Sequence, residues 1–198
     1  MSTTENLIEM KGIDKRFAHV YALKSVDFDI RRGEVHSLLG ENGAGKSTLI
    51  KVLMGVYPKD GGQILFDGKP VEINSREDAF NLGIACIFQE LSLVPTLSVA
   101  QNIMLGKEKS SLGVLHKKAM VKEVSDLIQR FDFPVKATDI VETLSVAQRQ
   151  MVEILKALST NASLIIMDEP TASLSNKESQ ILFKIIGQLK AKGVSILY

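Results

Sequence analysis

The chain has 198 residues, 45% of them hydrophobic, with 24 basic against 23 acidic side chains and a net charge of +1. That length suits one domain, or a core with an insertion, and the composition is ordinary for a chain that buries a core. The charge balance gives no electrostatic footprint for nucleic acid or an anionic membrane surface, and no apolar run approaches the ~18 residues of a membrane span. The single cysteine, Cys86, lies in the apolar run Gly83–Phe88 and reads as a core residue of a reducing compartment. Met1–Asn6 lacks the basic and apolar regions of a signal peptide, so the expected location is cytoplasmic.

In chain order, Leu7 to Ile13 and Ala22 to Ile30 read as strands. In the second, Val26, Phe28 and Ile30 alternate with Asp27 and Asp29, the pattern of a sheet wet on one face. Glu34 to Leu39 is mostly apolar between glycines and predicts a buried strand, and Thr48 to Met54 predicts a helix ending near Gly55. Between them stands Gly40-Glu41-Asn42-Gly43-Ala44-Gly45-Lys46-Ser47, which fits G-x-x-x-x-G-K-[ST] at every fixed position. Strand, glycine loop and helix are the context in which backbone N–H groups curl around phosphates and a helix aims its positive end at them. Lys46 then reaches the β- and γ-phosphates and the Ser47 hydroxyl holds Mg²⁺. A full match in that context is far more specific than a glycine-rich turn with a solvated lysine, and it predicts a nucleoside triphosphate ligand.

Gln63–Phe66 and Lys69–Ile73 flank Asp67-Gly68, a tight-hairpin signal, and predict further strands of a small antiparallel layer. Ser75 to Leu82 predicts a helix and Gly83 to Phe88 a buried strand ending at Gln89. From Leu91 to about Lys156 strand-like runs give way to amphipathic helical segments. Ser98 and Gln101 form a possible capping box, and Met120, Val121, Val124, Leu127, Ile128 and Phe131 recur at helical spacing. Ser145 stands before a helix expected from about Gln148 to Ser159. Ser163–Met167 predicts a strand covered on both faces. Ser175 and Glu178 then form another capping box for a helix, and Val194–Tyr198 begins a last strand.

Three further groups carry chemistry. Asp168 and Glu169 follow an apolar strand at the sheet edge where α/β folds bind ligands. One carboxylate suits Mg²⁺ and the other an attacking water, against the plainer reading of an acidic turn before Pro170. Gln89 ends another core strand, as a ligand of Mg²⁺ or water or as a surface amide. Ser145 serves as a helix cap or as part of an anion site.

Phosphate loop, glutamine at a strand end, Leu144-Ser145-Val146-Ala147-Gln148, then apolar run plus Asp168-Glu169 resembles the order found in ATP-binding-cassette ATPases. The resemblance covers essentially the whole chain. It is strongest to the first cassette of bacterial monosaccharide importers of the ribose, xylose and galactose type, through Gly40–Thr48, Phe88–Leu91, Gln150–Ile154 and Ile166–Thr171. It implies an α/β fold: a P-loop NTPase (RecA-like) core with an antiparallel β subdomain and an inserted α-helical subdomain. Residues 1–90 and 157–198 would form the core and 91–156 the helical signature subdomain.

The resemblance further implies that Phe17, 29 residues before Lys46, stacks on adenine, with Tyr21 the second candidate. It implies phosphate contacts from Gly40 through Thr48, a coupling role for Gln89, magnesium held by Ser47, Gln89 and Asp168, and Glu169 as catalytic base. Ser145, Val146, Ala147 and Gln148 match the signature that closes over the nucleotide of an opposite cassette, and Ala172–Ser175 the loop at the dimer seam. ATP and Mg²⁺ are the implied cofactors. The implied partners are a second cassette, a multi-span permease and, indirectly, a periplasmic sugar-binding protein, on the cytoplasmic face of the inner membrane.

The sequence departs from the family pattern at three points. Val146 and Ala147 replace the signature's usual two glycines, and Ser175 stands where many cassettes have aspartate. The family's γ-phosphate histidine is expected about three residues past Tyr198, and none of His19, His36 or His116 matches it. The expectation is a truncated first cassette that couples ATP hydrolysis to sugar uptake. The alternatives are a nucleotide-binding module with little turnover and a soluble non-transport ATPase of the same family.

Overall fold

The computed structural model describes residues 5–41, 43–87, 92–108, 110–111, 114–167 and 175–198. Strands β1 (Asn6–Phe17) and β2 (Val20–Arg31) pair antiparallel and are followed by a short strand β3 (Val35–His36) and helix α1 (Lys46–Leu53). Then come β4 (Gly61–Phe66), β5 (Lys69–Val71), α2 (Arg76–Asn81), β6 (Ile84–Ile87) and α3 (Val99–Met104). Two short strands paired antiparallel, β7 (Ser110–Ser111) and β8 (Val114–Leu115), precede α4 (Lys117–Phe131) and α5 (Val146–Leu158). The chain finishes with β9 (Leu164–Met167), α6 (Asn176–Ala191) and β10 (Ser195–Leu197). Two compact units result: Met1–Cys86 with Ala162–Ile166 and Lys190–Tyr198, and Ile87–Asn161 with Met167–Leu189.

The first unit holds two sheets. One has the order β2-β1-β4-β5 with all pairings antiparallel, which is the expected antiparallel layer. Its β4–β5 turn runs through Asp67 and Gly68, both at positive φ, as the right-handed twist of a two-residue hairpin demands. Along β2, Leu23 and Ile30 are buried while Asp27 and Asp29 face solvent, so the wet-face reading holds. The other sheet has the order β3-β10-β9-β6, with β10 parallel to both β3 and β9. All four residues of β9 are buried, as its unbroken apolar run requires of a strand covered on both faces.

Leu49, Val52 and Leu53, at i, i+3 and i+4 of α1, belong to one apolar cluster with Ile8, Met10, Ile13 and Ile64 of the antiparallel layer and Leu164, Ile166 and Leu197 of the parallel sheet. Burying side chains of this size is worth about 1.5–3 kcal/mol each. The helix that starts at the phosphate loop is thereby fixed to both sheets.

In the second unit, α4 spans fifteen residues, and Met120, Val124, Ile128 and Phe131 of the expected helical pattern form its buried stripe. Asp132 ends it in the left-handed conformation, and Phe133 N–H reaches back to the Ile128 carbonyl. The Ser98–Gln101 capping box of α3 is complete in both directions. Val99 and Ala100 N–H donate to the carbonyls of Asp139 and Ala137, so most of the helix's open donors are used within the unit.

Several local expectations change. β3 is two half-buried residues rather than a six-residue buried strand, and Leu39 is 85% exposed. Its pairing follows β10, itself three residues long, and beyond the Leu38 N–H bond to the Tyr198 carbonyl the backbone turns into the loop. α1 starts at Lys46 and α5 at Val146, each two residues earlier than expected. The β7–β8 hairpin interrupts the helical stretch where no strand was expected, and Cys86 is half-buried. The Ser175–Glu178 capping box lies outside the described side chains.

Candidate nucleotide-binding site

The phosphate loop leaves β3 and enters α1 through Gly45, whose φ is +90°. A Cβ at Gly45 would stand 2.7 Å from the Ala22 carbonyl oxygen and 2.9 Å from Leu23 Cδ2, so both the backbone conformation and the neighbouring β2 strand exclude a side chain. Gly43 also has positive φ, +87°, but meets nothing within 4 Å. As N-cap, Gly45 provides no side-chain acceptor, and the first turn of α1 carries no acidic residue. The N–H groups of Lys46, Ser47 and Thr48 therefore lack the capping oxygen that α2, α3 and α5 draw from Ser75, Ser98 and Ser145. Open donors and the positive helix end make this turn an anion site.

Lys46 Nζ donates to the Gly40 carbonyl and, at 2.9 Å, to the Glu41 carbonyl. Its ammonium is held across the loop by acceptors that a phosphate oxygen can replace. Ala44 N–H bonds the Glu41 carbonyl at 3.1 Å and keeps the turn tight, while Ser47 is exposed at the first turn of α1.

The β1–β2 hairpin brings aromatic surface to the same place. Phe17 pairs with Val20 at the hairpin tip, and two residues on, Ala22 lies against Gly45. Phe17 is 42% exposed and Tyr21 is 47% exposed. The Arg16 guanidinium lies 4.5 Å from the Tyr21 ring centroid, with Lys24 Nζ at 5.8 Å, so cations already occupy the Tyr21 ring. The Phe17 ring stands edge-on to Tyr57 and has Lys15 Nζ at 5.6 Å.

In the second unit Ser145 caps α5. Ser145 Oγ accepts from Gln148 N–H at 3.2 Å, and Gln148 Oε1 accepts from Ser145 N–H at 3.0 Å. Gln148 Nε2 donates to the Pro134 carbonyl. Arg149 ties down the preceding turn through the carbonyls of Leu144 and Glu142. Val146 is 43% exposed and Ala147 is buried.

Comparison with known proteins decides the family. Residues 23–172 match the model of the ABC transporter family. The chain belongs to that family. Over 192 residues, 97% of this chain, it is 53% identical to ribose import ATP-binding protein RbsA 1 of Rubrobacter xylanophilus, and over its full length 50% identical to the protein of that name in Streptomyces avermitilis. It spans 38% of the length of each. Among solved structures it resembles the ADP conformation of MJ1267, an ATP-binding cassette of an ABC transporter, with a TM-score of 0.86, 28% identity and coverage of 98% of this chain and 80% of that one. The P-loop core with its antiparallel layer is thus the fold of an ABC cassette.

Within this ABC cassette, the phosphate loop meets the β1–β2 hairpin that carries Phe17 through Gly45 and Ala22 in the first unit, and Ser145–Gln148 sit at a helix start in the second. Asn42, Gln89, Asp168, Glu169 and the 172–174 part of the seam loop lie outside the described residues. Sequence reading missed several residues that hold these parts in place. Buried Asn102 accepts from Val94 N–H at 2.7 Å and donates to the carbonyls of Val94, Leu97 and Ser98. Glu153 of α5, also buried, accepts from both N–H and Oγ of Ser92. The segment after Gln89 is thereby fastened to α3 and α5. A polar residue on the buried stripe of an amphipathic helix was the available signal, since it must find partners. Asp60 was missed as well: its carboxylate accepts from Arg16 N–H at 2.6 Å and from Lys15 Nζ at 3.0 Å, and these donors hold it below the usual carboxylate range.

Proposed function

We propose that this chain is the first nucleotide-binding cassette of a bacterial monosaccharide importer, in which binding and hydrolysis of Mg·ATP drive passage of a sugar through a membrane permease. The observation that carries the proposal is the start of α1, where a glycine cap leaves three N–H donors and Lys46 to meet a polyphosphate. The similarity to ribose import ATP-binding proteins supports the sugar and the direction of transport.

In this reading residues 1–90 and 157–198 form the ATPase core, with Gly40 through Thr48 around the phosphates and Phe17 on the adenine. Phe17 is favoured over Tyr21 because the Arg16 guanidinium sits only 4.5 Å from the Tyr21 ring centroid, against 5.6 Å from the Lys15 ammonium to that of Phe17. Mg²⁺ prefers hard oxygen donors, and the exposed Ser47 hydroxyl at the loop's exit is of that kind. Gln89 and Asp168 would complete the set, and the ion would neutralise charge on the β- and γ-phosphates. Glu169 accepts a proton from the attacking water as its oxygen bonds the γ-phosphorus and the bond to the bridging oxygen breaks, leaving ADP and phosphate. Residues 91–156 present Ser145, Val146, Ala147 and Gln148 to the nucleotide of a second cassette. That pair sits against a permease at the inner membrane, with a periplasmic sugar-binding protein delivering the cargo. No described helix is long and apolar enough to cross a membrane, so the conducting path is assigned to the permease.

The test uses the full-length protein reconstituted with its permease. Glu169→Gln is expected to retain Mg·ATP binding and abolish both hydrolysis and sugar uptake; unimpaired hydrolysis by that variant would remove Glu169 from its role.

A further inference from the structure

The loop that follows α1 is tied to two places at once. At one end it finishes the helix: Val56 and Tyr57 N–H both donate to the Lys51 carbonyl, at 2.8 and 3.2 Å, and Lys51 Nζ lies 5.5 Å from the Tyr57 ring. At the other end it grips the last residues of β1. Asp60 N–H donates to the Asp14 carbonyl at 2.9 Å, and the Asp60 carboxylate accepts from Lys15 Nζ and Arg16 N–H. Lys15 is itself buried, so this ion pair has one partner fixed by its surroundings. Tyr57 then meets Phe17 with ring centroids 5.0 Å apart and planes at 75°, the T-shaped geometry that aromatic pairs favour.

Phe17 stands at the end of a strand, next to a two-residue turn in which Ala18 takes a positive φ of 51°. A half-exposed ring at such a tip needs partners to fix its direction; besides Tyr57 it has Lys15 Nζ 5.6 Å from its centroid, and Asp60 holds that ammonium too. The loop supplies that constraint, and it does so from the C-terminal end of the helix whose N-terminal end forms the phosphate site.

We propose that Tyr57 and Asp60 are positioning residues for the nucleobase: together they mount Phe17 on α1, so that base and polyphosphate are held at a fixed spacing by one rigid element. This rests on the reading of Phe17 as the ring that stacks on adenine. Neither residue touches the nucleotide. Their contribution is to spare Phe17 the cost of being ordered when the base arrives.

The experiment compares binding of Mg·ATP with that of Mg·tripolyphosphate, which has no base, to the full chain by titration calorimetry. Tyr57→Ala is expected to weaken ATP binding about fivefold, the scale of one aromatic pair, and to leave tripolyphosphate binding at its wild-type value. Tyr57→Phe keeps the ring contact and should restore ATP binding. Asp60→Asn should give a smaller loss, again confined to ATP. In a Phe17→Ala background, Tyr57→Ala should have no further effect. Equal losses for both ligands would show that the loop merely stabilises α1, and an undiminished Tyr57→Ala effect in the Phe17→Ala background would show that it does not act through Phe17; either result overturns the proposal. If Phe17→Ala alone leaves ATP affinity unchanged, the stacking role of Phe17 falls first and the mount falls with it. Tripolyphosphate affinity serves as the folding control for every variant.

Discussion

The starts of α1 and α5 are both built to face a γ-phosphate in the reading given above, yet they are finished in opposite ways. α1 is capped by Gly45, without a side-chain oxygen, and a lysine is its first residue. α5 is capped by Ser145 in a reciprocal box with Gln148, which satisfies donors at both positions before any ligand arrives. The first is an unfinished helix end that an anion completes. The second is partly finished by its own side chains, and offers the Ser145 hydroxyl proton and the Val146 and Ala147 N–H groups. In that reading strong binding belongs to the loop in the chain's own core, and Ser145–Gln148 would add to a nucleotide already held.

That contrast is broken or sharpened by substitutions at each end. Lys46→Ala is expected to have the largest effect, weakening Mg·ATP binding about 100-fold with little change in melting temperature, on the scale of a lost charge-assisted bond. Gly45→Ala should destabilise the fold by about 1–3 kcal/mol in denaturant titration, because its Cβ meets the Ala22 carbonyl at a φ that L-residues avoid. Ser145→Ala should cost about 1 kcal/mol of stability through loss of the cap. An affinity loss on the single cassette as large as that of Lys46→Ala would erase the distinction between the two helix starts.

The smallest effect concerns Asp60. Its donors, Arg16 N–H first and Lys15 second, lower its folded pKa below the unfolded value. The sign follows: the carboxylate stabilises the fold above the unfolded pKa, and that contribution is lost as pH falls through the lower folded one. Wild type should therefore be more stable than Asp60→Asn at neutral pH, and the gap should close below about pH 4. A gap that persisted at pH 2 would assign the difference to packing instead of charge.

The same two helices show what was readable in advance. Gly40 through Ser47 announced a glycine loop entering a helix, because Gly43 and Gly45 take positive φ and a glycine cap supplies no side-chain oxygen to the first turn. The stripe Met120, Val124, Ile128 and Phe131 announced α4 because burial on one helical face leaves a period in the sequence. Ser98 with Gln101 announced a capping box because its partners are three residues apart. Each is a local pattern. β3 pairs with β10, some 160 positions away, a partner that no window around Glu34–Leu39 contains.

By itself, then, the sequence determined most of the helices and the antiparallel layer, the glycine-capped helix start that the proposed function assigns to a polyphosphate, and the family to which their order belongs. Tertiary structure alone decided that Gly45 lies against the Ala22 carbonyl, that Asp60 reaches Arg16 across 44 positions, and that Tyr57 braces Phe17. The reason is physical. Capping and helical periodicity act between residues a few places apart, whereas the direction of an aromatic ring at a hairpin tip is set by whatever chain the fold brings beside it.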